Sequence, residues 1–181
     1  MNRCGWAGTD PLMIKYHDEE WGIPVHEDRT LFEFLILEGA QAGLTWATIL
    51  NKREGYRKAF DGFDCKKISK YGEKKIKSLI NNAGIVRNKL KINSAVRNAK
   101  VFLQIQKEFG SFDKYIWGFT GKQLKTNAKS FRELPPETEI SGKISKDLKQ
   151  RGMNFVGSTI IYAFMQAVGI TNDHEISCFR R

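Results

Sequence analysis

The sequence predicts an all-α fold. Apolar residues recur at helical spacing over most of the chain, no segment alternates apolar and polar residues as a half-buried strand does, and Gly or Pro stands where the runs end. In chain order, Asp28 or Thr30 is expected to cap a run carrying Leu31, Phe32, Phe34, Leu35 and Leu37, which ends near Gly39 or Gly43. Thr45 caps the next helix, with Trp46, Ile49, Leu50 and then Phe60 on its apolar face. Residues 73–81 form a short amphipathic helix with Ile76, Leu79 and Ile80 inward. The longest run covers 87–109, where Leu90, Val96, Ala99, Phe102 or Leu103, and Phe109 recur. A short helix is expected over 112–119, a long polar connection with Pro135-Pro136 over 120–140, and two last helices over 143–150 and 156–168.

With 181 residues the chain suffices for one domain with a full core, or for two small lobes sharing a cleft. No apolar run is long enough to span a bilayer, and the start shows no signal-peptide pattern. Three cysteines are an odd, low count, so a reducing cytoplasm is expected rather than a disulfide framework. Thirty Lys and Arg against 20 Asp and Glu leave a net charge of +10. Much of the excess lies between residues 65 and 100, including Lys66, Lys67, Lys70, Lys74, Lys75, Lys77, Arg87, Lys89, Lys91, Arg97 and Lys100. Such a block suits phosphate backbones; it is also what a solvated lysine-rich face looks like.

Two cysteines and two histidines stand at the far ends of the chain: Cys4 and His17, then His174 and Cys178. Thiolate and neutral imidazole together suit a tetrahedral zinc ion. His174-x3-Cys178 puts two ligands about one helical turn apart, whereas Cys4-x12-His17 requires a loop that folds back. Such a site would tie one terminus to the other and, with all four positions filled by protein, would be structural. The spacing alone leaves open that these are scattered Cys and His.

Residues 79–92 read as a short helix ending at Gly84, an apolar pair Ile85-Val86, and a basic helix start. The N–H groups of such a turn could hold a phosphate oxygen, with Arg87, Lys89 and Lys91 adding charge, as in a helix-hairpin-helix element. An ordinary helix corner with a Gly cap reads the same way. Earlier in the chain, Trp6, Tyr16, Trp21 and Trp46 crowd the first 46 positions, and Glu38 follows the apolar run Phe34-Leu35-Ile36-Leu37. Aromatic faces with one carboxylate make a pocket for a flat ligand bearing positive charge or N–H donors, and a nucleobase is one; the tryptophans could equally be filling the core.

Taken together, the segments closely resemble the bacterial 3-methyladenine DNA glycosylase I family over almost the whole chain. The likeness rests on Arg3-Cys4-Gly5-Trp6, Tyr16-His17-Asp18, Glu20-Trp21-Gly22, Leu37-Glu38, Gln41-Ala42-Gly43-Leu44-Thr45-Trp46, Gly84-Ile85-Val86, Phe155-Val156-Gly157-Ser158-Thr159, Phe164-Met165-Gln166-Ala167 and Asn172-Asp173-His174. The resemblance implies a single glycosylase domain over residues 1–181, a helix-hairpin-helix fold of two helical lobes with a cleft between them. It implies a structural zinc on Cys4, His17, His174 and Cys178 joining the termini. It also implies base-excision repair of alkylated double-stranded DNA, with the damaged nucleotide flipped into an aromatic pocket. Carried over by position, Glu38 accepts hydrogen bonds from the adenine edge, Tyr16 and Trp46 stack on the ring, and Trp6 and Trp21 shape the pocket. Gln41, Gly43 and Leu44 belong to the segment that fills or wedges the gap in the duplex. The hairpin at Gly84, with Arg87 and Lys89, holds the backbone. A monomer working in the bacterial cytoplasm at the nucleoid is expected.

The chain departs from that pattern at Met13, where the family carries a tyrosine, and lacks the second Gly of the usual hairpin turn. It has no evident Schiff-base lysine, and Asp113 lies too far along to be the superfamily's catalytic aspartate. These absences imply base removal without strand cleavage. Two rivals are a helix-hairpin-helix protein that only grips damaged DNA, against which the Glu38, Tyr16 and Trp46 set argues, and a zinc hydrolase, against which a four-ligand site argues; the chain has no His-Glu-x-x-His helix.

Overall fold

The computed structural model describes residues 1–181 and is mostly helical. The helices are α1 (Pro11–Glu19), α2 (Asp28–Gln41), α3 (Trp46–Ala59), α4 (Cys65–Ile68), α5 (Glu73–Ile80), α6 (Lys89–Phe109), α7 (Phe112–Trp117), α8 (Glu139–Gln150) and α9 (Ser158–Ala167). The sequence does not announce α1, which starts at an Asp10 cap with Pro11 at its first position. A parallel pair of two-residue strands also falls outside the all-helical expectation: β1 (Leu124–Lys125) lies beside β2 (Thr171–Asn172). Its bonds, Leu124 N–H to Ile170 O at 2.8 Å and Thr126 N–H to Asn172 O at 3.3 Å, join the polar connection to the C-terminal segment.

Helix α2 is the axis of the molecule. Every residue from Leu31 to Ala40 is buried, because α3, α6, α7 and α9 all pack on it. A helix surrounded in this way has apolar residues on all faces, as Leu31 to Leu37 do. Its cap is Glu27, whose carboxylate accepts the N–H groups of Arg29 and Thr30 at 3.0 and 2.6 Å. Asp28, an expected cap, instead accepts the Phe112 and Asp113 N–H groups at 2.9 and 2.8 Å and so anchors the start of α7. Thr45 caps α3 as expected, its hydroxyl accepting from Thr48 N–H at 3.3 Å.

The inner face of α6 is Ile92, Ala95, Val96, Ala99, Phe102 and Ile105. Leu90 and Phe109, read from periodicity as part of that face, are 70% and 39% exposed, because the helix runs past the core at both ends. Helix α8 begins at Glu139, ahead of the expected 143, behind a reciprocal Thr138–Ser141 cap. The 120–140 connection also holds a single 3-10 turn, Phe131–Glu133.

The hairpin between α5 and α6 is seated by one close approach. A Cβ on Gly55 of α3 would lie 2.2 Å from the Gly84 carbonyl oxygen, so only glycine lets helix and hairpin touch there. Gly55→Ala should therefore destabilise by about 2 kcal/mol or more, since backbone must move rather than a side chain. Urea unfolding would measure it, and a midpoint equal to wild type would refute the contact.

Candidate functional site

A cleft of about 420 Å³ opens between α1, α2, α9 and the 131–136 segment. Trp6, Tyr16, Trp21, Glu38, Gln41 and Trp46, all singled out from sequence, line it together. Tyr16 comes from α1, Glu38 and Gln41 from the last turn of α2, and Trp46 from the first residue of α3. The rings are held against one another: Tyr16 lies 5.3 Å from Trp46 and 6.2 Å from Trp6 between centroids, and Trp6 meets Trp21 edge-on at 4.9 Å. Behind Tyr16 sits Phe34, with the Arg53 guanidinium over its ring at 4.9 Å. Arg53 is itself fixed by Glu33 at 2.5 Å and Glu20 at 2.7 Å, so ion pairs clamp α1, α2 and α3 beneath the cleft.

Glu38 is 4% exposed, and its carboxyl makes no hydrogen bond within the protein. Burial alone pushes its carboxyl up to about 8. Burial, with the Glu38 and Glu20 carboxylates adding to it, likewise holds the Tyr16 hydroxyl well above its ordinary pKa. A buried carboxyl without a partner in an aromatic cleft is poised for a ligand that brings N–H donors or positive charge.

Met13, the position where the family carries a tyrosine, lines the cleft too, and the rest of the wall was not legible in the sequence. Phe131, Leu134, Pro135 and Pro136 come from the stretch read as a connection, and Thr159, Tyr162, Ala163 and Gln166 come from α9. The adjacent prolines were the available signal, since a rigid apolar pair in a polar segment needs something to pack on. Tyr162 and Gln166 both donate to buried Asp173, at 2.5 and 2.8 Å, which fixes α9 to the C-terminal segment.

Gln41, Ala42, Gly43 and Leu44 form a tight turn at the rim, closed by Leu44 N–H to Gln41 O at 2.6 Å. Ala42 at φ −43, ψ 116 and Gly43 at φ 77 make it a type II turn, which demands glycine at its third position. Leu44 at its tip is 41% exposed. A shallow depression lined by Glu38, Gln41, Gly43 and Leu44 continues from the cleft over this turn.

The hairpin differs from expectation in which groups it leaves free. The N–H groups of Gly84, Ile85 and Val86 bond to Asn82 Oδ1 (2.8 Å), Asn82 O (3.4 Å) and the Tyr56 hydroxyl (3.2 Å). Asn88 caps α6 through the N–H groups of Leu90 and Lys91. From Gly84 to Lys91 the unpartnered backbone donors are those of Arg87 and Lys89, whose side chains are exposed. Lys91, read as a third phosphate-facing cation, points inward instead and donates to Ala40 O at 2.8 Å and Ala42 O at 2.6 Å.

The two ends of the chain do meet. Ligand atoms of Cys4, His17 and Cys178, all buried, lie within 4.8 Å of one another, a cluster that could hold a metal ion. His174 stands edge-on to His17 at 5.0 Å between centroids, and its Nε2 is buried with no partner. His17 Nδ1 is 2.7 Å from Asp18 and His174 Nδ1 is 2.8 Å from Asn172, which turns Nε2 of each ring toward the cluster: His17 Nε2 accepts from Cys4 N–H at 3.3 Å and lies 3.4 Å from Cys178 Sγ, and His174 Nε2 has no partner. Burial, followed by nearby His17, pushes the His174 imidazole down to about 4, toward the neutral form a ligand requires. Burial pushes the Cys4 thiol up to about 12, so a thiolate there calls for a neighbouring cation. His174 and Cys178 do not sit on a helix as their spacing suggested; one turn closed by Cys178 N–H to Glu175 O at 2.8 Å brings them round. Trp6 and Trp21 contact His17 and His174 at 5.3 and 4.6 Å between centroids, so the cluster and the aromatic cleft share a wall. The remaining Cys65 and His26 lie elsewhere, beside Gln106 and Asp113.

A helical scaffold with an aromatic cleft, a buried carboxyl inside it and an exposed basic hairpin beyond its rim is the arrangement found here. The family model described as methyladenine glycosylase matches residues 6–181, and the chain belongs to that family. It is 45% identical over 179 residues to DNA-3-methyladenine glycosylase 1 of Escherichia coli (strain K12), covering 98% of this chain and 96% of that protein. A crystal structure of 3-methyladenine DNA glycosylase I superposes with a TM-score of 0.96 at 45% identity, over 98% of each chain. A tyrosine-to-phenylalanine variant of such an enzyme, crystallised with 3-methyladenine, superposes with a TM-score of 0.95 at 33% identity, over 99% of this chain and 97% of that one. No helix here is long and apolar enough to cross a membrane.

Proposed function

We propose that this protein excises 3-methyladenine from alkylated double-stranded DNA in base-excision repair, leaving an abasic site with the strand intact. The observation that carries the reading is the buried, unpartnered Glu38 carboxyl inside a cleft walled by Tyr16, Trp46, Trp6 and Trp21. Methylation at N3 makes adenine cationic in DNA, and such a base matches both the aromatic faces and the carboxylate. The chemistry makes modest demands. The C1′–N9 bond breaks, its electron pair leaves with the base, and the base departs neutral, so no strong general acid is needed. Water then adds to the oxocarbenium-like sugar and loses a proton to solvent; neighbouring phosphates stabilise the sugar cation. Glu38 recognises the base and contributes electrostatically as the transition state forms.

In this reading one helix-hairpin-helix domain spans residues 1–181, with two helical lobes meeting at the cleft. Gln41, Gly43 and Leu44 fill the gap left by the flipped nucleotide. The Gly84 hairpin with Arg87 and Lys89 grips the backbone. Cys4, His17, His174 and Cys178 would hold a structural zinc, and that ion would supply a cross-link between the two ends of the chain. The protein acts as a monomer, in the cytoplasm at the nucleoid.

The test is release of free base from methylated duplex by purified protein, with strand integrity followed on a denaturing gel. Free 3-methyladenine with an intact strand is the expected result. Tight binding to DNA without release would replace this reading with that of a damage-binding module.

A further inference from the structure

We propose that Lys91 is a positioning residue that locks the rim turn at residues 41–44 to the backbone-gripping hairpin at residues 81–88. The proposal rests on the assignment of that turn and hairpin to the DNA face. Helix α2 ends at Gln41, and its last carbonyls have no intrahelical partner. One is satisfied by Leu44 N–H; Lys91 takes Ala40 O at 2.8 Å and Ala42 O at 2.6 Å, reaching across from the first turn of α6. A cation at the carbonyl end of a helix is also favoured by the helix dipole. The backbone N–H of Lys91 is in turn held by Asn88, the residue that ends the hairpin, at 3.1 Å. A single side chain therefore connects the segment that meets phosphates with the segment at the cleft rim. Ala40 lies two residues beyond Glu38, so the same contact sets the height of the α2 end that carries the cleft carboxyl. Arg87 and Lys89, one and three positions past Val86, are exposed and free for phosphate; Lys91 has two of its three donors committed inside the protein.

The two roles predict different salt behaviour. Lys91→Met keeps the stem and removes the ammonium, Lys91→Arg keeps a charged donor, and Lys89→Met removes an exposed cation. Three readouts are taken: the salt dependence of affinity for undamaged duplex, single-turnover base release at saturating DNA, and the fluorescence rise of 2-aminopurine beside an abasic-site analogue. The last reports unstacking without chemistry. Lys91→Met should keep the wild-type salt slope while base release falls by about tenfold or more and the fluorescence rise shrinks; an ångström of misplacement is enough for such losses. Lys91→Arg should recover part of both, and Lys89→Met should lower the salt slope by about one. A slope lowered by about one in Lys91→Met would make it a phosphate contact and overturn the proposal. So would wild-type release and fluorescence with an unchanged slope. If wild-type protein unstacks 2-aminopurine but releases no base, the excision reading fails, and the fluorescence comparison alone decides the role of Lys91. Should Lys91→Met not fold, Lys91→Arg carries the comparison, because its planar fork meets the two carbonyls less well.

Discussion

Glu38→Gln is expected to lower kcat/KM for 3-methyladenine release by roughly 10- to 100-fold. Losing a charge-assisted hydrogen bond costs about 1.5–3 kcal/mol. Glutamine keeps the shape and one acceptor oxygen, so folding is preserved, but it cannot offer negative charge to a cationic base. The pH profile supplies a second signature. Burial holds the Glu38 carboxyl of the free protein up at about 8, so most of it is protonated at neutral pH. Because kcat/KM reports ionisations of free enzyme, it should rise with pH through about 8 in wild type as the carboxylate forms, and this rise should vanish in Glu38→Gln. Stability runs the opposite way. A folded-state pKa raised above the unfolded value favours the protonated form, so this contribution is whole below about pH 4.5 and is lost as pH climbs through about 8. A Glu38→Gln enzyme with wild-type kcat/KM across pH 6–9 would remove Glu38 from the mechanism.

On the proposed zinc assignment, removing the metal should cost the most stability. A centre on Cys4, His17, His174 and Cys178 closes a loop of nearly the whole chain. By the chain-entropy argument for cross-links, losing a closure of that size costs on the order of 5 kcal/mol, or roughly 10–20 °C in Tm for a protein this long. Cys178→Ser should show that drop together with loss of stoichiometric zinc by elemental analysis, as should chelator treatment of wild type. Cleft function should suffer second-hand, because Trp6 and Trp21 pack on the His17 and His174 rings. Protein that purifies without metal at undiminished Tm would rule the centre out. Chelated protein that stays folded with its Tm intact but stops turning over would favour a hydrolytic metal instead.

Both predictions concern side chains visible in the sequence, and the reason they were visible is local chemistry. Thr45 before an apolar run, a glycine closing the turn after α2, and a carboxylate at the end of an otherwise apolar helix are patterns in neighbouring residues. Cys4, His17, His174 and Cys178 stood out by residue type, although the helical turn inferred for the last two was wrong in form. The Phe131–Pro136 wall was not visible, because an irregular segment shows no periodicity and becomes a wall only when β1 pairs with β2 and α9 stands behind it.

The helical class, the order of the main helices and the kinds of side chain available for the cleft and the Cys/His cluster were legible in the chain, since periodicity, caps and residue chemistry act over a few residues. Which polar groups are spent and which are free was set by packing. Lys91 and Lys89 are two residues apart on one basic stretch, yet one is committed to the carbonyls of α2 and the other faces outward. Asp28 anchors a helix 84 residues away instead of capping its own. Both depend on burial and on hydrogen bonds between distant segments, which exist only once the helices have packed.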